Sequence, residues 1–346
     1  MRVLVTTSIA IMTLFGGGAA PLVSTAAPAD RPHQPVLGRD VAGSTQVLAG
    51  RRASRHVGLR ATGRYARSIN VNSVEAVNAA YQTYFAPGLG MPTSFSGDTQ
   101  RCVAGTSSAD SRAATERAVN FVRSLAGLAP VAFSADLDNR SQLTALMMSA
   151  NRRLSHAPSP GWRCYTSAGA ANARNSNILL SYQPRLTAAG LVRLYTTDPG
   201  AANAAVAHRR WLLNPFATAM GTGSTHEANA ITVIGPSSPH RPNPTWVAWP
   251  SPGYFPDTLE PNGRWSLSAG SRAARFHKAR VSVYRNGKPV RAVKMRVVKG
   301  YAQPTLVWQI PPSQAKAGNY TVVVRGIKVG KKRYATSYVV RMFAPH

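Results

Sequence analysis

The chain has 346 residues, enough for two domains that each bury a core. Apolar residues make up 44% and charged residues 15%, which argues against wholesale disorder and against a coiled coil. Beyond residue 30 no apolar run approaches the ~18 to 20 residues that span a bilayer. The charge is the outlier: 41 Lys plus Arg against 12 Asp plus Glu give +29, so the chain is drawn to polyanions and anionic surfaces.

Residues 1–29 read as a secretory signal. Arg2 supplies a short positive start, residues 3–15 an apolar stretch, and Ala27-Pro28-Ala29 a cut before Asp30, with cuts after Ala20 or Ala26 as alternatives. A short membrane anchor is the competing reading. Residues 30–68 are rich in Arg, Ser, Gly and Ala, with six arginines and no acid between Arg51 and Arg67, and are expected to form a basic disordered arm. The two cysteines, Cys102 and Cys164, favour a disulfide in an exported chain over two free thiols. The expected location is secreted or extracellular, with association to the cell envelope.

Residues 69–236 carry helical patterns separated by turn signals. Ser73 caps a helix to about Phe85, which Pro87-Gly88 ends. Residues 113–125 form a second helix, with Ala118, Phe121, Val122 and Leu125 on one face. Ser134 caps a third, whose stripe is Leu143, Met147, Ala150 and Leu154. Residues 186–195 and 201–213 are two further helices, stopped by Asp198-Pro199-Gly200 and by Pro215. Strands follow at 216–221 and 228–234, and helices interleaved with strands suggest a layered α/β sandwich.

A Pro-rich stretch at 236–261 changes the texture. Alternating runs at 265–267, 280–284, 290–298, 305–310, 320–324 and 334–343 then describe an immunoglobulin-like β-sandwich over residues 245–346. This part holds 18 Lys plus Arg against 2 acids, and every lysine of the chain lies at or after Lys278. It is expected to meet an anionic cell-wall polymer or membrane surface. No recognition motif of the usual nucleic-acid readers accompanies the charge, so no specific nucleic acid is expected.

Five separated motifs carry a resemblance. They are Asn120-Phe-Val-Arg123 with Gly127-Leu128; Leu154-Ser155-His156; Trp162-Arg-Cys164-Tyr165-Thr166; Ser176-Asn177; and Asp198-Pro-Gly-Ala-Ala-Asn203 running to His208-Arg209-Arg210-Trp211. Residues 69–236 resemble the bacterial branch of the CAP superfamily (cysteine-rich secretory, antigen 5 and pathogenesis-related-1 proteins, SCP-like). The resemblance implies an α-β-α sandwich and, in many members, a cleft lined by two His and two acids. His156 and His208 match the histidines, with Ala207 where the family has Gly. Asn175-Ser176-Asn177 stands at the Gly-Glu-Asn motif, without its Glu. Asp198 is the nearest match to the second acid.

The candidate cleft residues are therefore His156, Ser176, Asn177, Asp198, Asn203 and His208. His156 and His208 could hold a divalent cation such as zinc only weakly, because a catalytic ion takes three protein ligands and an open position. No other cofactor is expected. The residues also admit a plainer reading: His208 shares a helical stripe with Ala205 and Leu212, and His156 ends a helix, where the dipole favours an imidazolium. A serine hydrolase on Ser176 lacks a Gly-x-Ser-x-Gly elbow, and paired carboxylates are poorly supplied, since residues 113–244 hold only Glu116, Asp136, Asp138, Asp198 and Glu227. The expectation is non-catalytic binding of a small ligand or peptide, with an extracellular hydrolase of peptide or wall polymer, working through the two histidines, as the rival.

Overall fold

A computed structural model describes residues 9–12, 69–182 and 185–346. The basic arm, and most of the segment read as a secretory signal, lie outside the described residues.

Hydroxyl caps set the helices of the first half. Ser73 accepts from Ala76 N at the start of α1 (Val74–Tyr84), which leads into the short α2 (Ala86–Leu89). Ser108 opens α3 (Ala109–Leu125) and Ser134 opens α4 (Ala135–Ala150). Thr166 caps α5 (Ser167–Ala173) and Thr187 caps α6 (Ala188–Thr197). A single helix over 201–213 does not form. A 3-10 turn at Ala201–Asn203 and a left-handed Val206 (φ 46°) precede α7 (Ala207–Leu212). The reason is Asp198, whose carboxylate accepts from the backbone N–H groups of His208 and Arg209 and so fixes a fresh helix start.

These helices cover a sheet of order β1-β3-β5-β4-β2, with β1 at Ile9–Met12, β2 at Ala132–Phe133, β3 at Ser176–Ser181, β4 at Ala219–Ser224 and β5 at Ala228–Thr232. Helix α4 lies tight on β4. A Cβ at Gly221 would sit 2.4 Å from the Leu137 backbone, and one at Gly223 would sit 2.1 Å from Gln142 N, so only glycine allows that approach. Alternation along β3 sorts the two faces. Ile178 and Leu180 pack with Ala145 and Met148 of α4 and Ala173 of α5, whereas Leu179 joins the core made with α1, α3 and α6. The result is the α-β-α layering expected.

The second half is two antiparallel layers. One has the order β11-β10-β14-β15-β7, with β9 also on β14, built from β7 (Gly253–Pro256), β9 (Ala274–Arg275), β10 (Arg280–Arg285), β11 (Lys288–Val290), β14 (Gly318–Val329) and β15 (Lys332–Phe343). Within it β7 pairs β15 in parallel, the exception among otherwise antiparallel neighbours. The other has the order β12-β13-β8-β6, from β6 (Trp246–Trp249), β8 (Arg264–Ala269), β12 (Val293–Lys294) and β13 (Thr305–Gln309). Fully buried Trp249, Trp265, Trp308 and Tyr320 fill the space between them. The strand expected across 290–298 is broken: Val290 ends β11 in the first layer, and Val293–Lys294 form β12 in the second. Past the Met295 N–H bond to the Val307 carbonyl the chain leaves the ladder, where the Val298 carbonyl accepts from Arg210.

Both halves contribute to one continuous buried cluster. Arg209 and Arg210 of α7 cross into the β-half. Arg209 reaches Glu260 at 2.5 Å and the Arg264 carbonyl at 2.7 Å, while Arg210 donates to the Tyr301 and Gln303 carbonyls, each at 2.7 Å. In return Arg264 donates to the carbonyls of Asp198 and Gly200.

Candidate functional site

Four of the predicted residues meet around the α6–α7 turn. Asp198 ends α6 in the left-handed region (φ 51°), a conformation that Asp tolerates better than most side chains. Its Oδ1 lies 2.6 Å from His208 Nδ1, and Oδ2 accepts from His208 N at 3.0 Å and Arg209 N at 3.3 Å. The Asn177 amide donates to the His208 carbonyl at 3.1 Å. Asn203 holds the turn itself by donating to the Pro199 carbonyl at 2.6 Å. Tyr195 packs its ring 5.5 Å from that of His208 and donates to Asn229 Oδ1 at 2.9 Å. Burial, with the Asp198 carboxylate nearby, pushes the Tyr195 hydroxyl well above the usual phenol range, so it stays a neutral donor. Asp198 and His208 are fully buried.

His156 and Ser176 belong to the opposite side of the sheet. Consecutive residues of a strand point to opposite faces, so Ser176 faces α4 and α5 where Asn177 faces α7. Ser176 Oγ donates to the Asn172 carbonyl at 2.8 Å and accepts from the Asn172 amide at 3.0 Å. That places it in a buried net with Thr144, Thr232 and Ser141. His156 lies six residues beyond the end of α4, buried, with Nδ1 donating to the Ala173 carbonyl at 2.8 Å. An acyl-transfer site needs its nucleophile within hydrogen-bond reach of the base. Here the Asp198–His208 pair and the Ser176 hydroxyl stand on different faces.

The same separation bears on zinc. Among the described residues no three His, Cys, Asp or Glu side chains gather in a metal-holding group, and His156 and His208 stand on opposite faces of the sheet. Two separated histidines fall short of the three protein ligands that a catalytic zinc takes.

The remaining motif residues brace the fold. Asn120 bonds both backbone groups of Val131, each at 2.8 Å. Arg123 donates to the carbonyls of Ala129, Leu212 and Asn214, and its complete burial, with Arg241 nearby, pulls its guanidinium down to about 9. Glu116 lies midway along α3 and accepts from Phe133 N at 2.9 Å. Trp211 packs against Ala205, Ala207 and Tyr301.

Cys102 and Cys164 form the disulfide. Both sit at φ 58°, and the bridge ties the 98–103 loop to the segment after α4. Reducing it is expected to lower the unfolding free energy by roughly 2 to 4 kcal/mol, because the bond closes a loop of 62 residues; a urea titration with and without reductant measures the loss. Beside the bridge runs a groove of about 370 Å³ lined by Phe95, Gln100, Arg152, Arg163, His226 and Glu227, among others. Sequence reasoning singled out none of these side chains for ligand contact. The one usable signal was the cysteine pair, which brings residues 99–102 beside Arg163.

Residues 116–234 match the sequence model of the CAP family, described as the cysteine-rich secretory protein family. No curated protein matches the chain. The matched stretch runs from within α3 through β4 and β5 and takes in the Asp198–His208 pair and both sheet faces. The chain thus carries a CAP superfamily domain, followed by a C-terminal pair of β-layers.

Proposed function

We propose that this is an exported, non-catalytic binding protein of the cell envelope or its surroundings. In this reading the CAP domain takes a small ligand or peptide and the basic β-half holds the chain on an anionic wall polymer or membrane surface. Export is supported by the family, described as secretory, and by the disulfide. The observation that carries the surface reading is charge: residues 245–346 hold 18 cationic and 2 acidic side chains. Arg325, Lys328, Lys331, Lys332 and Arg333 stand exposed toward one end of the β14–β15 hairpin.

Cosedimentation of the whole protein with phosphatidylglycerol vesicles and with isolated envelope tests this. Binding should be strong at 0.1 M salt and lost at 1 M, as the Debye length contracts from ~10 Å to ~3 Å. The triple variant Lys331→Glu, Lys332→Glu, Arg333→Glu should shift the midpoint to lower salt. Binding that survives 1 M salt sinks the electrostatic reading.

The second reading is a hydrolase of peptide or wall polymer. Its support is the Asp198–His208 contact, which orients an imidazole as a base requires. A hydrolytic rate lost in His208→Ala would favour it.

A further inference from the structure

We propose that the groove beside the disulfide is a binding site for a saccharide that carries a carboxylate. The proposal rests on the small-ligand part of the binding reading and names both the ligand class and the place.

The groove lies where three segments converge: the end of α4 with Arg152, the 98–103 loop with Gln100, and the β4–β5 turn with His226 and Glu227. Its volume, about 370 Å³, falls at the lower end of the roughly 300 to 1,000 Å³ usual for small-molecule pockets. Phe95 is half-buried, and its ring meets that of His226 edge to face at 5.5 Å and 85°. The pair sets aromatic carbon among the polar groups of the lining, a surface against which the C–H side of a sugar ring can pack. Around it stand an amide, a carboxylate and two guanidinium groups, each presenting paired donors or acceptors that suit neighbouring hydroxyls. These polar groups are carried by side chains. A peptide bound by strand addition would instead need a row of backbone amides to pair with.

Charge narrows the class. Arg152 and Arg163 face one carboxylate, Glu227, so the lining keeps a positive excess. A guanidinium binds a carboxylate through two parallel hydrogen bonds, which a hydroxyl cannot match in strength.

The walls are also set in place before any ligand arrives. The disulfide joins the loop to Cys164. Asp98 and Val103 exchange both backbone hydrogen bonds at 2.9 Å, and Asp98 Oδ1 accepts from Gln100 N and Arg101 N. Asn151 bonds the backbone N–H and carbonyl of Arg163, and the Arg163 guanidinium donates to Gln100 O at 3.1 Å and Oε1 at 3.2 Å. Arg152 lies over the Tyr182 ring at 5.3 Å. Little ordering is left to oppose binding.

The test is isothermal titration of the whole oxidised protein with a glucuronate–N-acetylglucosamine tetrasaccharide. The salt should be about 0.3 M, to screen exposed charge. The expected result is one site per chain, weakened about tenfold or more by Arg163→Gln or by methyl esterification of the sugar, as loss of a charge-assisted hydrogen bond implies. Phe95→Leu should weaken it as well. The triple variant Lys331→Gln, Lys332→Gln, Arg333→Gln should leave it unchanged, with thermal melts confirming that each variant folds. The proposal is overturned by no binding, by binding that Arg163→Gln spares and the lysine variant removes, or by tighter Arg163-dependent binding of a tetraglutamate peptide. Vesicle cosedimentation of the same variants reads the surface function separately, since Arg163→Gln should leave it intact.

Discussion

Replacing Glu260 with Ala is expected to lower the unfolding free energy by about 3 to 5 kcal/mol, the usual loss when one partner of a buried ion pair is removed. Glu260 is fully buried, 2.5 Å from Arg209, and also accepts from Trp249 Nε1 at 3.2 Å and Arg264 N at 3.2 Å. Without it, Arg209 keeps its charge between the two halves of the molecule, with Asp198 as the other nearby acid. The pair also sets a pH dependence. Burial pushes the Glu260 carboxyl up from 4.5 to about 7, outweighing Arg209 and the two N–H donors. Between those values the folded state binds the proton that the unfolded chain has lost, so stability should fall as pH rises from about 4.5 to about 7. Asp138 acts in the same sense, since burial raises it to about 6 against the opposing pull of Thr222 N and Arg112. Urea unfolding at about pH 5 and about pH 7.5 should show the fall in the native chain and a smaller one in Glu260→Gln. Equal stability at both values would mean that the charged pair is as well solvated by its neighbours as by water.

The helices of the first half were legible where a hydroxyl cap precedes an apolar stripe. Ser73 and Ser134 mark the starts of α1 and α4 because a cap is local, whereas Leu154, expected on the α4 stripe, lies four residues past the end of that helix. Helix α3 starts four residues ahead of the expected Ala113: Ala109-Asp110-Ser111-Arg112 shows no stripe, and only the Ser108 cap announces it. The break at Val206 was not legible, because it depends on Asp198 capturing N–H groups ten and eleven residues further on. The β-half could be read from alternation, as in β14, whose buried Tyr320, Val322 and Val324 recur at every second position. The contact of Arg209 with Glu260, 51 residues away, leaves no local pattern at either position. The motif residues of the candidate site were found individually. Their separation onto two sheet faces followed only from the register of β3, because Ser176 and Asn177 are neighbours in the chain and opposites in the strand.

Asp198 carries the largest expected effect. Its carboxylate accepts three hydrogen bonds, from the His208 ring and from the backbone of His208 and Arg209. Its backbone closes α6 at φ 51°, and its carbonyl receives Arg264 from the β-half at 2.7 Å. Asp198→Ala strands those donors in a site without water access and puts a Cβ without a polar partner in the left-handed region. A loss of about 4 to 6 kcal/mol is expected, at 1 to 3 kcal/mol for each donor left unsatisfied. That is a large share of the total stability of an ordinary domain. Asp198→Asn keeps an oxygen for the two backbone donors and tolerates positive φ, so its cost should be smaller, about 1 to 2 kcal/mol. The order of the two variants in urea unfolding is the measurement. If Ala is tolerated as well as Asn, the turn is held by Asn203 and the Arg264 contact rather than by the carboxylate. If instead Asn unfolds the chain as severely as Ala, then it is the negative charge beside His208 and Arg209, and not the hydrogen-bond geometry, that keeps α7 in place.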